Sequence, residues 1–577
     1  MRKPVIAAAK QRRYSACRGG DPGNIVREAA ESTRPGWIAL ASVGLVSVAA
    51  QLAIYDRSVV PLDEGQLLNI AERLNHGEVL YRDIYTGIFP GVYYVTAWLL
   101  ALGGSDLIVT RWAQVLVNAA TAVCLWALTA RVTRPGWAIV PVGLYLFVVV
   151  LSFPVLTMLN YSPLSLLFAL GTMGLLVRYL ESARATDGLG VGAALACCAL
   201  TKQNFGGLAF LGVLGTYVWA RRHAPVAHRS LLRGLAPIGV GGATVTLIAL
   251  GYFVAMGGLY PLLEATILTI SDTQLVAFND PLPPIFGPHP VDDGRFVFVY
   301  TPPTLFNYLV RGEPFFGALP SPALRSAVIR LAYGGTIGAL LIAPLFLRGL
   351  QNDRRALVTA KAIAIFAILL FFGLFPSAIW SHLVYIVAPI LPIVGMAGDR
   401  IDRTLLARSP LAAWSWRATW FAVAIGALLV ATQISADIRR WHPEPADLPG
   451  ISVAVDPNVM STYRKAAAFI EECAEPDAPI FVAPDMPLLY VITGRRNPTP
   501  FDLTIPGNVD GPAIVATLEA TRTRCVVYKP TMYAQFAPFE ELFPELVRYL
   551  ETAYTRATII QEGPQPWYGL VRNPPDR

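Results

Sequence analysis

The sequence predicts an α-helical protein that crosses a membrane many times and ends in a small α/β domain. Three observations predict this. The chain of 577 residues is 54% apolar and only 15% charged, far less charge than a soluble chain carries. Its apolar residues come in runs long enough to span a bilayer. Beyond residue 435 those runs stop, and helical and β-type patterns alternate instead.

Eleven apolar runs read as spans: 36–55, 107–130, 136–153, 161–180, 188–201, 204–220, 231–256, 326–347, 356–376, 380–398 and 418–435. The fifth is short for a full crossing and is expected to be tilted or broken. The formal net charge of +7 does not point to nucleic acid, because it is not gathered on an amphipathic or aromatic-rich face. It lies in short loops, as a topology signal. Arg2, Lys3, Lys10, Arg12, Arg13 and Arg18 precede the first span. Arg131, Arg134, Arg178, Arg184, Arg221, Arg222, Arg229 and Arg233 follow on the same side, as do Arg348, Arg354, Arg355, Arg400, Arg403 and Arg408. The opposite loops are acidic, with Asp56, Asp63, Glu64, Glu72, Glu78 and Asp83 in one and Asp272, Asp280, Asp292 and Asp293 in another.

The positive-inside rule therefore predicts a multi-pass protein of the cytoplasmic (inner) membrane. Residues 1–35 form a basic cytoplasmic tail, 36–435 the transmembrane domain, and 436–577 an extracytoplasmic, periplasmic domain. The basic stretch before the first span is longer than the n-region of a secretory signal, so the run at 36–55 is expected to be an uncleaved anchor.

Two outer loops stand out. In the first, 56–106, Asp63 to Asn75 patterns as an amphipathic helix on the membrane surface. Phe89 to Leu102 is too short for a span and reads as a re-entrant or interfacial helix. The second, 257–325, is rich in proline over its middle, so it is expected to be irregular there. Phe278, Phe286, Phe296, Phe298, Tyr300, Phe306 and Tyr308 give it material for packing. In the C-terminal domain, Ser461–Cys473, Gly511–Arg522 and Phe539–Tyr554 pattern as helices. Ile480–Ala483, Cys525–Tyr528 and Ala557–Gln561 pattern as strands. Cys124, Cys197 and Cys198 lie in spans as small packing residues. Cys473 and Cys525 lie outside, where a disulfide or two free thiols both fit, and no spacing rule selects the pair.

The residues that could carry chemistry sit at the outer mouth of the bundle. Asp63 and Glu64, in Pro61-Leu62-Asp63-Glu64-Gly65, are an acidic pair that is costly beside lipid unless a polar cavity is near. Asp63 could serve as an N-cap with Gln66 completing a capping box, as a general base, or as both. Lys202 falls in a polar break, Leu200-Thr201-Lys202-Gln203-Asn204, between two apolar segments. It suits either a snorkelling anchor or a point charge for a lipid phosphate, with Gln203 and Asn204 adding donors. Arg111 and Arg82, with Asp83 beside it, suit interfacial anchoring or phosphate contact. His382 and Tyr385 open the tenth span, and no HxH or HExxH spacing supports a metal there. No cofactor is expected. There is no Walker loop for ATP and no Gly-rich βαβ fingerprint for a nucleotide sugar.

The order of these motifs resembles the membrane glycosyltransferases with the GT-C fold. An Asp-Glu pair follows the first span, then Tyr81-x-Asp83, then Pro90-Gly91-x-Tyr93-Tyr94. Leu200-Thr201-Lys202 is similar to a lysine motif of the branch that contains protein O-mannosyltransferases, lipid A aminoarabinose transferases and rhizobial LPS-core galacturonosyltransferases. Tyr385-x-x-x-Pro389-x-x-Pro392 is similar to its late Tyr…Pro…Pro helix. The resemblance implies a polyprenyl-phosphate sugar as donor and an envelope glycan, lipid or protein hydroxyl as acceptor. It implies inverting transfer with Asp63 as catalytic base beside Glu64, and Lys202 at the donor phosphate, where Arg111 and Arg82 are further candidates. Asp83, Tyr94, Asn160, Gln203, His382 and Tyr385 are expected to line the pocket.

Two departures bear on this. Asn160 stands where many relatives have a second carboxylate, which counts against acceptor positioning by that acid and against a divalent metal. Ile88 stands where the aminoarabinose branch has a basic residue. A transporter or flippase of a lipid-linked substrate is the alternative. It predicts inverted repeats and paired broken helices, and the sequence shows neither.

Overall fold

The computed structural model describes residues 36–223, 230–269, 279–290, 292–309, 313–314, 321–347, 350, 353–506, 509–531, 537–562 and 565–574. The basic tail with Cys17, and Arg229, Asp272, Phe278 and Arg348, lie outside the described residues. The chain divides into two units, one ending at Ser42 and the other beginning at Val43, and the second holds the bundle and the C-terminal domain.

Every apolar run becomes a helix. In chain order these are α1 (Trp37–Gln51), α2 (Asp63–Asn75), α3 (Gly91–Gly103), α4 (Leu107–Ala130), α5 (Pro135–Leu151), α6 (Tyr161–Ser182), α7 (Ala185–Thr201), α8 (Gln203–His223) and α9 (Leu231–Ala255). After the second outer loop come α13 (Pro322–Leu347), α14 (Arg354–Leu374), α15 (Trp380–Arg408) and α16 (Pro410–Trp441). Among the described residues, seven helices are long and apolar enough to cross a membrane: α4, α6, α9, α13, α14, α15 and α16. The fifth predicted span is the 17-residue α7, ended by an extended residue at Lys202. The stretch from Phe89 is α3, 13 residues long and too short to cross.

Among its described residues, the 257–325 segment holds three short helices: α10 (Leu259–Leu268), α11 (Gly294–Tyr300) and α12 (Pro303–Leu309). Residues 279–290 are irregular, as their prolines require. Of the aromatics expected to pack, Tyr300 lies edge-on to Tyr333 and Tyr308 against Trp441, while Phe286 and Phe298 are exposed.

The last helix runs further than its apolar core. The span expected to end at 435 continues as a helix to Trp441. Its polar end is stabilised by partners: buried Asp437 accepts from Tyr308 at 2.7 Å and from Gln433 at 2.8 Å.

The domain is α/β. A four-stranded sheet has the order β3 (Ile480–Ala483), β4 (Cys525–Tyr528), β6 (Trp567–Arg572), β5 (Tyr554–Gln561). β3 and β4 are parallel and the other pairs antiparallel. A two-stranded ribbon, β1 (Glu444–Pro445) with β2 (Ala454–Val455), precedes it. The helices are α17 (Pro457–Cys473), α18 (Leu488–Thr493), α19 (Gly511–Ala520), α20 (Phe539–Leu542) and α21 (Pro544–Ala553). The single helix expected over 539–554 is broken at Pro544, which cannot supply an amide hydrogen. Cys473 and Cys525 are buried with free thiols.

This domain does not hang from the bundle by its linker alone. One apolar core joins Leu68 and Ala71 of α2, Ala97 and Leu100 of α3 and Leu107 of α4 to Met460, Ile470, Leu488 and Val527 of the domain. α4 then runs about 36 Å at 1.5 Å per residue to the opposite end. There Arg134 pairs with Asp399 at 2.6 Å and with Asp402, which also binds Arg417 at 2.9 Å. The acidic pair Asp63–Glu64 thus lies at the domain end, and this basic cluster at the other.

Candidate active site

α2 carries the acidic pair, and it begins differently from expectation. The residue before it is Leu62, and no side chain caps the helix. A preceding turn supplies backbone bonds instead: Glu64 N–H donates to the Val60 carbonyl at 3.0 Å and Gln66 N–H to the Leu62 carbonyl at 2.9 Å. Asp63 is already inside the helix, past the capping position. The capping box is therefore absent.

The two carboxylates have different surroundings. Glu64 is buried. One of its oxygens accepts from Val60 N–H at 2.8 Å and from Arg111 at 2.6 Å. Burial pushes the Glu64 carboxyl up, while Arg111 and the Val60 amide pull it down. Arg111 is wholly buried and also donates to Thr157 Oγ1 at 2.7 Å and to the Ser58 carbonyl at 3.0 Å. Asp63 is half-buried and, among the described residues, makes no hydrogen bond or ion pair. Burial first, and the Glu64 charge second, push its carboxyl up to about 6.

Lys202 occupies the break between α7 and α8 and is 8% exposed. Its Nζ donates to Ser162 Oγ at 2.8 Å. It lies 4.5 Å from the ring centre of Phe205, 5.2 Å from Tyr161 and 6.0 Å from Tyr385. Aromatic faces attract a cation, but they leave its charge uncompensated. No carboxylate pairs with Lys202 among the described residues.

The local sequence explains how this lysine is held. Asn160 caps α6 by accepting from Ser162 N–H at 3.3 Å, which sets Ser162 at the start of the helix. α3 closes in through Pro90-Gly91. A Cβ on Gly91 would stand 2.8 Å from Thr201 Oγ1 and 2.9 Å from the Leu200 carbonyl, so only glycine fits there without displacement. Gln203 Nε2 donates to the Gly87 carbonyl at 2.9 Å. From α15, His382 Nδ1 lies 2.6 Å from the Ser377 carbonyl.

One cluster results. The Asp63 charge acts on the phenols of Tyr93, Tyr161 and Tyr385, and the Lys202 charge acts on His382. Ser162 and Tyr385 adjoin Lys202, Asn160 caps the helix that carries Ser162, and Gln203 follows Lys202 and bonds to Gly87. Arg82, Asp83 and Tyr94 are engaged elsewhere. Arg82 pairs with Asp83 at 2.7 Å and donates to the Met256 carbonyl at the end of α9. Its hydrogen bond holds the Asp83 carboxyl below the usual range. Tyr94 OH meets Tyr252 OH at 3.2 Å. These three fasten the first outer loop to α9. Of the two arginines expected at the phosphate, Arg111 has Glu64 as its partner, and Arg82 has Asp83 and the Met256 carbonyl. Among the described residues, no group of three or more His, Cys, Asp or Glu side chains is placed to hold a metal ion.

The C-terminal domain forms a wall that the sequence did not reveal. A Cβ on Gly65 would stand 2.5 Å from the Leu488 amide nitrogen. Arg73 of α2 pairs with buried Asp502 at 2.8 Å, and Tyr85 N–H donates to the Pro500 carbonyl at 2.8 Å. Gly65→Val is expected to part α2 from α18. Overpacking of this kind costs about 1–3 kcal/mol, and a shift of about 1 Å in a reacting group costs about a hundredfold in rate. Thermal melting and turnover measured together check this. Wild-type values for both would remove the domain from the site.

This architecture, a helical bundle with a polar cluster at one end and an α/β domain docked over it, has counterparts among solved structures. The chain matches the crystal structure of ArnT from Cupriavidus metallidurans bound to undecaprenyl phosphate. The identity is 14%, over 92% of this chain and 98% of that one, with a TM-score of 0.52. The same protein in its apo state matches at 14% identity and the same coverage, with a TM-score of 0.50. At this identity the likeness is one of fold. The family model described as dolichyl-phosphate-mannose-protein mannosyltransferase matches residues 89–240, the stretch that holds Pro90-Gly91, Asn160 and Lys202. No curated protein matches the sequence.

Proposed function

We propose that this protein transfers a sugar from a polyprenyl-phosphate donor to an acceptor hydroxyl at the outer face of the membrane. The observation that carries the proposal is the cluster itself. Among the described residues, the buried ammonium of Lys202 has no carboxylate partner and lies by the rings of Tyr161 and Tyr385, and the Asp63 carboxylate makes no hydrogen bond. A buried cation is costly unless something anionic pairs with it, and the phosphate of a lipid carrier supplies that charge. The fold supports the same reading, since the ArnT structure holds undecaprenyl phosphate.

In the transfer step, Asp63 takes the proton of the acceptor hydroxyl, and the acceptor oxygen attacks the anomeric carbon. The bond from that carbon to the phosphate oxygen breaks, and its electron pair leaves on the carrier phosphate. Lys202 faces the added negative charge, so its contribution is larger in the transition state than in the ground state. Direct displacement inverts the anomeric centre. The acceptor is an envelope glycan, lipid or protein. Purified protein in detergent, given a polyprenyl-phosphate sugar and an envelope extract, should consume the donor and label the extract. Binding of the donor without turnover would favour transport instead.

The site end, with the C-terminal domain, is proposed to face out of the cytoplasm. An impermeant thiol reagent on intact spheroplasts, after reduction and partial unfolding of the domain, should reach Cys473 and Cys525 and spare Cys17. Labelling of Cys17 would reverse the orientation.

A further inference from the structure

His382 is held more firmly than the transfer step requires. Its Nδ1 lies 2.6 Å from the Ser377 carbonyl. A carbonyl only accepts, so Nδ1 carries a hydrogen and Nε2 is the nitrogen left for another partner. Ser377 is itself fixed by the second outer loop. Its Oγ donates to the Asp280 carboxylate at 2.6 Å, and the next amide, Ala378 N–H, donates to the Asp280 carbonyl at 2.8 Å. The Ala378 carbonyl in turn accepts from Tyr333 at 2.8 Å. Three segments thus set one imidazole and its tautomer.

The place of that imidazole is informative. His382 and Tyr385 are three residues apart on α15 and share a face, and the Tyr385 ring centre is 6.0 Å from Lys202 Nζ. Nε2 makes no hydrogen bond among the described residues. A ring nitrogen with no hydrogen bond among the described residues therefore lies on the same helix face as Tyr385, which flanks a cation with no carboxylate partner among those residues.

We infer that His382 is a second ligand of the lipid-carrier phosphate, meeting one phosphate oxygen through Nε2 while Lys202 meets another. The inference rests on the donor reading proposed for the site. The donor is a phosphodiester and has no P–O–H. The carrier left after transfer is a monoester, and once the proton that Asp63 took from the acceptor hydroxyl passes to it, it has one. That hydrogen is donated to the Nε2 lone pair. The contact therefore favours the protonated, released carrier over the donor, and it forms after the bond to the sugar has broken. Asp280 and Ser377 are positioning residues, which gives the second outer loop a task at the phosphate.

The test uses the full-length protein in detergent and undecaprenyl phosphate alone as the probe, with binding followed by native mass spectrometry. In His382→Asn the amide nitrogen stands near the position of Nδ1 and can keep the bond to Ser377, with nothing at Nε2. In His382→Gln a polar atom stands near Nε2. The Asn variant is expected to bind about tenfold more weakly, and the Gln variant to recover part of the loss. Asp280→Ala should weaken binding in the wild-type background and add nothing to His382→Asn. Lys202→Met reports on the donor reading separately. If it loses the probe while His382→Asn binds like wild type, the donor reading stands and the role of His382 is gone. If Asp280→Ala weakens both backgrounds equally, Asp280 does not act through His382, and the positioning chain falls. If the wild-type protein does not bind the probe, the donor reading fails and this inference with it.

Discussion

Asp63→Asn is expected to give a folded, inserted protein that no longer transfers sugar. The substitution removes little from the structure, because the Asp63 carboxylate caps no helix and accepts no hydrogen bond among the described residues. It removes the base. Loss of a positioned general base typically costs about 10²–10⁴ in rate. The same carboxyl sets the pH profile. With Asp63 pushed up to about 6 by burial and by Glu64, the rate should fall about tenfold per unit below that pH.

Stability should move the other way. The folded state holds a proton on Asp63 that the unfolded chain releases near the ordinary value of 3.8. Between about pH 4 and pH 6 the native state therefore binds more protons than the unfolded state, and stability falls as pH rises through that window. Above it the full cost remains. Asp63→Asn removes the cost, on the order of 1–2 kcal/mol once partial exposure to water is allowed for. The Asn variant should melt later than wild type at pH 7.5, and the gap should close towards pH 4. Near-normal turnover would take Asp63 out of the mechanism. Equal melting at both pH values would mean that its burial is not costly.

What could be read in the sequence follows a physical line. Apolar runs identify helices because a lipid-facing or buried helix needs apolar residues whatever its neighbours are. Asp63 and Lys202 stood out because charge at the edge of such a run is expensive. Partnership was the hidden part. Arg111 and Lys202 are both basic residues at span ends, and only the fold shows that Arg111 is paired with Glu64 while Lys202 has no carboxylate among the described residues. Ser162 gave no signal, since a serine near a helix start is ordinary capping material. The close approaches at Gly65 and Gly91 did leave a mark, as glycines beside Asp63-Glu64 and Pro90, but what they approach is distant in sequence. The end of α16 was missed for a related reason. Asp437 and Gln433 break the apolar pattern, yet they pair with Tyr308 and with each other and so keep the helix going.

Lys202→Met tests the link between this cluster and phosphate chemistry. Methionine keeps most of the apolar stem that packs against Phe205 and Tyr161 and loses the charge, so it separates binding from packing. Expression and melting are expected to hold or improve, because an unpaired cation leaves a buried site. Turnover should suffer. Hydrogen bonds to charged groups contribute roughly 1.5–3 kcal/mol, which corresponds to about ten- to a hundredfold. If the charge acts mainly on the bound donor, the loss appears as a raised apparent KM. If it acts mainly on the leaving phosphate, the loss appears in kcat. Lys202→Arg should restore only part of the activity. The planar guanidinium needs more room than the cage of Tyr161, Phe205 and Tyr385 gives an ammonium, and it directs its donors differently. A Met variant with wild-type kinetics at every donor concentration would make Lys202 an anchor at the membrane surface and leave the cluster without a phosphate ligand. A Met variant that loses turnover but melts like wild type would tie that one buried charge to the carrier.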